Sequence, residues 1–218
     1  NELSFVTPTE FVELPSKGQF YPEGHALHGK EVIEIRHMTA KDEDILTSRA
    51  LLKQGIAIDR LLSNVIVDSS INVDDILIGD KNAVLVATRV TGYGEQYYSN
   101  VVCVSCGETY ENEFILRDFE TTGYTEGMQD VERTSPTTFK VSLPLSKVSV
   151  EIRILNGNDE KYLAKLSEKK KKNRLPETPL TDTFRVFIVS VNGTQDKAVV
   201  NQFIDSMPAR DSRFLRTV

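Results

Sequence analysis

Val32-Ile33-Glu34-Ile35-Arg36 runs through His37 and Met38 into Thr39-Ala40-Lys41-Asp42. The first five residues alternate apolar and polar, which is the period of a half-buried strand. A threonine followed three residues later by an acid is a capping-box start for a helix. The stretch therefore predicts a strand that feeds directly into a helix carrying Ile45, Leu46, Leu51 and Leu52, with Gly55 ending it. That pairing makes the chain an α+β protein.

Working outward, Ile58, Leu61, Leu62, Val65 and Ile66 recur at i, i+3, i+4, i+7 and i+8 and predict a second helix. Asn72-Val73-Asp74-Asp75 caps a short third one, and Asp80 opens a fourth through Ala83, Val84, Val86, Ala87 and Val90 to Gly92. Residues 32–92 thus read as a strand plus a helical subdomain. Upstream, residues 1–31 are extended and punctuated by Pro15, Gly18, Pro22, Gly24 and Gly29, which predicts an arm and not a core element. The arm carries Phe5, Val6, Phe11, Val12, Leu14, Phe20 and Tyr21, more apolar surface than a free tail displays, so it should bury that surface on a partner or on the body. Downstream, residues 93–137 read as a hairpin, with strands over 96–104 and 108–116, followed by an acidic, mobile loop over 117–137. The remainder, 138–218, reads as a mixed strand and helix part. It opens with a second hairpin over 139–143 and 147–155 whose turn holds Pro144.

Two places in that last part echo each other: 154–161 and 190–197 each join a strand end, an Asn-Gly pair and an acidic first helical turn. Such a junction is common, and duplication is the alternative. The chain begins with Asn1, not Met, and a helix over 208–218, with Ser206 as N-cap, stops in mid-pattern, so the natural polypeptide is expected to continue.

Composition narrows the class. With 218 residues the chain is long enough for its own hydrophobic core without disulfides. Lys+Arg 26 against Asp+Glu 32 leaves a net charge of -6, which repels nucleic acid and anionic membranes. No apolar run approaches the roughly 20 residues needed to span a bilayer, and no secretory leader opens the sequence. The expectation is a soluble protein made in a cytoplasm, with no nucleic-acid or membrane partner.

Both cysteines lie in Val102-Cys103-Val104-Ser105-Cys106-Gly107. Two thiolates one tight turn apart can grip a tetrahedral ion such as zinc, and Gly107 relieves the strain of the turn. Four ligands are needed, and His25 and His28, a His-x-x-His pair in the arm, are the other candidates within the chain. The alternatives are a structural hairpin with two free thiols, or a redox pair. The redox case wants a cysteine at a helix N-terminus, whereas these surroundings look extended and acidic.

Lys169 to Lys172, with Arg174, is the basic run; it ends a predicted helix, where cations complement exposed carbonyls. Glu108, Glu111, Glu113, Asp118, Glu120, Glu126, Asp130 and Glu132 lack the order of a calcium loop and read as a solubilising or docking face. No nucleophile elbow, phosphate-binding loop or dinucleotide fingerprint occurs, so the chain is not expected to be an enzyme.

Several segments carry a family resemblance: Phe11-Val-Glu-Leu-Pro-Ser-Lys-Gly-Gln-Phe-Tyr-Pro-Glu-Gly-His25, Ile33-Glu-Ile-Arg-His-Met-Thr-Ala-Lys-Asp-Glu-Asp-Ile-Leu46, the helix through Leu61-Leu62-Ser-Asn-Val-Ile-Val67, the cysteine knuckle, and Ala209-Arg-Asp-Ser-Arg-Phe-Leu-Arg216. Together they resemble the tail baseplate hub and assembly proteins of T4-type contractile-tailed bacteriophages. The resemblance implies a non-enzymatic structural or assembly protein of the hub region. Such a protein docks with other tail and baseplate proteins in the host cytoplasm, resides in the virion tail, and is free to form a homo-oligomer. It also implies a further Cys-x-x-Cys beyond the end of this sequence. The competing expectation is a zinc-ribbon adaptor that binds nucleic acid or a polymerase; Glu108, Glu111 and Glu113 would then face phosphate, which argues against it.

Overall fold

The computed structural model describes residues 6–118 and 130–217. It is an α+β fold. Its strands are β1 (Thr9–Glu13), β2 (Val32–Arg36), β3 (Gln96–Val102), β4 (Thr109–Ile115), β5 (Val131–Arg133), β6 (Thr138–Ser142), β7 (Ser149–Arg153) and β8 (Ile188–Val191). Its helices are α1 (Ala40–Thr47), α2 (Arg49–Gln54), α3 (Ala57–Val65), α4 (Ile78–Tyr93), α5 (Gly157–Lys172), α6 (Pro179–Phe187), α7 (Lys197–Ser206) and α8 (Ala209–Leu215). The chain divides into two compact units that interleave: among the described residues, 6–17, 30–73 and 79–118 form the first, and 18–29, 74–78 and 130–217 the second.

In the first unit β1 and β2 pair antiparallel, with Val12 opposite Ile33, and residues 66–67 extend the sheet through an Ile35–Ile66 bridge and the Val67 N–H to Glu34 O bond of 3.1 Å. Ile33, Ile35, Leu61, Leu62, Val65 and Val84 are buried. Helix formation follows the sequence over α1, α3 and α4, with two differences; the expected third helix is only a 3-10 turn, Val73–Asp75. The single helix expected over Ile45 to Leu52 is two, because Ser48 leaves helical conformation and caps α2. Gly55 closes α2 in the left-handed region at φ +69°, where a side chain would be strained.

In the second unit β5, β6, β7 and β8 form one antiparallel sheet in that order, with an irregularity between Glu151 and Ile152. Its core is Val141, Leu143, Val150, Phe184, Ile188, Val191, Val200, Ile204 and Leu215.

The two units repeat one plan. Each hairpin turn carries Leu-Pro and Ser-Lys, as Leu14-Pro15-Ser16-Lys17 and as Leu143-Pro144-Leu145-Ser146-Lys147 with one extra residue, Leu145, and the lysine is at positive φ in both (48° and 57°). In each, a fully buried aspartate from a later helix grips the turn. Asp80 of α4 accepts from the Ser16 N–H (2.9 Å) and hydroxyl (2.6 Å), and Asp211 of α8 accepts from the N–H groups of Leu145 (2.8 Å) and Ser146 (2.9 Å). The strand after each turn ends in Glu-Ile-Arg, and its arginine forms a fork with the third helical residue: Arg36 with Asp42 at 2.6 and 3.0 Å, Arg153 with Asp159 at 2.7 and 2.7 Å. The same acid accepts the N–H of the cap residue, Thr39 or Asn156. A further helix then returns a residue to pair with the strand, Ile66 with Ile35 and Ile188 with Ile152. Duplication therefore exists, but not where the sequence echo placed it. Asn156 caps α5 directly, whereas Asn192 and Gly193 form a positive-φ turn and Asp196 caps α7, so those two sites share only a junction type.

The fork gives a pH prediction. The Arg36 guanidinium, helped by Thr39 and opposed by burial, lowers the Asp42 carboxyl from 3.8 to about 2. A carboxylate depressed in the folded state contributes stability above its unfolded value, and that contribution is lost as pH falls. Roughly 2 kcal/mol of stability should vanish between about pH 4 and pH 2, and Arg36→Gln should remove most of that slope in denaturant unfolding measured across the same range.

Three sequence expectations are corrected. Residues 9–28 are core-forming, not an arm: Val12, Leu14, Phe20, Tyr21 and Leu27 are buried within the chain, and the Phe20 ring meets Phe139 edge-on at 5.4 Å. The prolines and glycines there make tight turns that fold the stretch back, which composition alone cannot separate from a loop. The supposed loop over 117–137 contains β5, whose three residues are too few to show a period; residues 119–129, with Glu120 and Glu126, lie outside the described part, as does Phe5. The last helix is capped at Pro208, and Ser206 instead ends α7.

Candidate functional site

β3 and β4 form a ribbon of two strands, with Val101 opposite Tyr110, Tyr97 opposite Phe114 and Tyr98 opposite Glu113. Arg89 of α4 anchors its base: the guanidinium donates to Gly94 O (3.0 Å) and Gln96 O (3.2 Å) and lies 5.0 Å from the Tyr93 ring and 5.9 Å from that of Tyr97. At the tip, the Cys103 N–H donates to Glu108 O (2.8 Å) and the Gly107 N–H to Cys103 O (2.9 Å). Gly107 sits at φ +75°, the conformation the sequence assigned it.

This turn aims amides at sulfur. N–H groups of Cys106 and Ser105, with help from the Cys106 side chain, lower the pKa of the Cys103 thiol. Hydrogen bonds to the charged form favour it, so the turn favours the Cys103 thiolate. Both cysteines are free, Cys106 exposed and Cys103 half-buried. The acidic residues Glu108, Glu111 and Glu113 are exposed along the same ribbon, and Glu113 raises the pKa of the Tyr98 phenol whose hydroxyl it accepts.

His25 and His28 belong to the second unit, whereas Cys103 and Cys106 belong to the first. His25 stacks on Tyr21 at 4.5 Å, its Nδ1 accepts the Leu27 N–H (3.0 Å), and burial lowers its pKa. His28 Nδ1 lies 2.7 Å from Tyr21 O and donates to it. These histidines thus also pin a turn. Among the described residues no group of three or more His, Cys, Asp or Glu side chains is arranged to hold a metal ion, and no helix is long and apolar enough to cross a membrane.

The basic run is more than a solvated helix end. Lys170 reaches both the Thr178 hydroxyl (2.6 Å) and the Asp182 carboxylate (2.5 Å), and the two charged groups are largely buried. This ties α5 to α6, a helix the sequence reading did not single out although Thr178 followed by Pro179 is a start signal.

No curated protein and no solved structure matches the chain. A family model described as T4 bacteriophage base plate protein matches residues 7–210, nearly the whole length and both repeated units. The chain therefore belongs to the T4 bacteriophage base plate protein family.

Proposed function

We propose that this protein is a non-enzymatic structural or assembly component of the hub region of a contractile-tail baseplate, working by docking to other tail and baseplate proteins. The observation that carries the docking is the β3–β4 ribbon. Tyr97, Val101, Tyr110 and Phe114 share one face of it; Tyr97 and Tyr110 stay about half exposed, while Val102 and Val104 stand out at the tip. A two-stranded ribbon is marginally stable alone, and aromatic side chains are what protein interfaces concentrate. Family membership supports baseplate proteins as the partners.

The test is to replace Tyr110 and Val104 by glutamate. Both are exposed, so thermal stability should stay within about 0.5 kcal/mol, while co-purification with assembling baseplate particles should be lost. Undiminished co-purification would remove the ribbon from the docking surface.

Zinc at Cys103 and Cys106 is a second reading, favoured by the amide-stabilised sulfur of the turn. Its remaining ligands would come from His25 and His28, from a neighbouring subunit or from further chain. Metal analysis before and after Cys103→Ser tests it: zinc lost with the substitution supports the site, and no metal in either reduces the turn to a hairpin bend. The acid-lined ribbon does not favour the nucleic-acid adaptor.

A further inference from the structure

The β3–β4 ribbon has a second face, and it is charged. In the register of the pair Tyr98 stands opposite Glu113, Asn100 opposite Glu111 and Val102 opposite Thr109, so these residues share the side turned away from Tyr97, Val101 and Tyr110. All six are exposed. From Gln96 to Leu116 the chain carries three glutamates and no lysine, arginine or histidine. Arg117, the next cation along, pairs with Glu95 at 2.9 Å. Every lysine and arginine of the sequence lies among the described residues, and none forms an ion pair with Glu111 or Glu113. The two carboxylates raise the pKa of the Tyr98 phenol, Glu113 the more strongly, so their field is not cancelled locally.

The counterpart stands on α5, in the other unit. Tyr162, Lys165, Lys169 and Lys172 follow one another at three, four and three residues, which puts them in one stripe of the helix, and all four are exposed. Other cations of the run are engaged, Lys170 with Asp182 and Lys171 with Glu177. Among the described residues Lys165, Lys169 and Lys172 form no ion pair, even with Glu168 beside them. Lys165 and Lys169 are about 6 Å apart along the helix axis, and Glu111 and Glu113 about 7 Å apart along the strand. The two pairs of charges therefore match in pitch. Each also has a tyrosine next to it, a residue that interfaces concentrate.

We infer that copies of this chain associate head to tail, the ribbon face of Tyr98, Glu111 and Glu113 in one seated on the α5 stripe of Tyr162, Lys165 and Lys169 in the next. The net charge of -6 pushes copies apart, but at physiological salt that repulsion is screened beyond about 8 Å, whereas opposed groups in contact are not. Such a contact joins two different surfaces, so the repeat closes into a ring or extends as a filament. It leaves the Tyr97 and Tyr110 face to the docking proposed above.

The experiment is sedimentation velocity on the purified chain at low and high salt, with two charge-reversed variants, Glu111→Lys with Glu113→Lys and Lys165→Glu with Lys169→Glu. All four positions are exposed, so both variants should melt as the parent does. Expected are salt-sensitive assemblies of the parent and association weakened by roughly a hundredfold or more in either variant alone. Mixing the two variants should restore it, because every ribbon then has an α5 of opposite sign to meet. If a reversal unfolds the chain, Glu111→Gln with Glu113→Gln carries the test, with a weakening of roughly tenfold. A parent chain that stays monomeric at high micromolar concentration and low salt overturns the inference. So does association that no variant weakens, or a pair of defective variants that fail to complement. A monomeric parent that binds single-stranded DNA, and loses it on Lys165→Glu with Lys169→Glu, would assign the stripe to nucleic acid instead. Co-purification of the Tyr110→Glu and Val104→Glu variant reads the opposite ribbon face, so the two ideas fail independently.

Discussion

Asp211→Ala should lower the stability of the second unit by about 3 to 6 kcal/mol, because it removes two hydrogen bonds to a charged acceptor, each worth about 1.5 to 3. The side chain is fully buried, and its two oxygens receive the Leu145 and Ser146 N–H groups of a turn that holds Lys147 at positive φ. Burial alone would raise the carboxyl's pKa. Bonds from the Ser146 side chain and the two amides outweigh it and hold the value below the ordinary range. Asp80→Ala should have a comparable effect in the first unit, where Ser16 is gripped through both its N–H and its hydroxyl. Urea unfolding of both variants decides the matter. A loss under about 1 kcal/mol would show that water takes over the carboxylate's role.

Phe184→Ala should cost about 3 to 5 kcal/mol and Leu62→Ala about 2 to 5, the range for large-to-small changes in a core. These residues hold equivalent places, four residues before the strand-pairing Ile188 and Ile66. Both are essentially inaccessible, Phe184 at 1% and Leu62 at 0%. Phe184 also meets Phe187 edge-on at 5.4 Å, a contact alanine removes. Monitoring each unfolding transition with probes in both units would show whether the damage stays in the unit that carries the substitution. If either change costs well under 1 kcal/mol, the side chain is not a core anchor.

Local chemistry carried much of this fold into plain view. Thr39 with Asp42 announces a capped helix because one acid three residues into a helix can satisfy the cap's N–H whatever surrounds it. The Cys-x-x-Cys-Gly turn announces a hairpin for the same reason, its bonds all lying within five residues. The resemblance to baseplate proteins was legible too, since it rests on strings of consecutive residues. Hidden were features that depend on partners far along the chain. The repeat escaped notice because only Leu-Pro, Ser-Lys, Glu-Ile-Arg and Asp-Glu survive in both copies, and because twelve residues, 18–29, enter the first hairpin turn but pack in the second unit. Tyr21 looks like a loop aromatic until its hydroxyl accepts the Leu77 N–H, fifty-six residues away. By itself the sequence determined the starts of α1 and α5 and the turn of the β3–β4 ribbon, because those caps and that turn are satisfied by near neighbours. Only the tertiary structure decided that Asp80 and Asp211 are buried clamps and that the N-terminal stretch is core, because burial is set by which distant segments come to lie alongside.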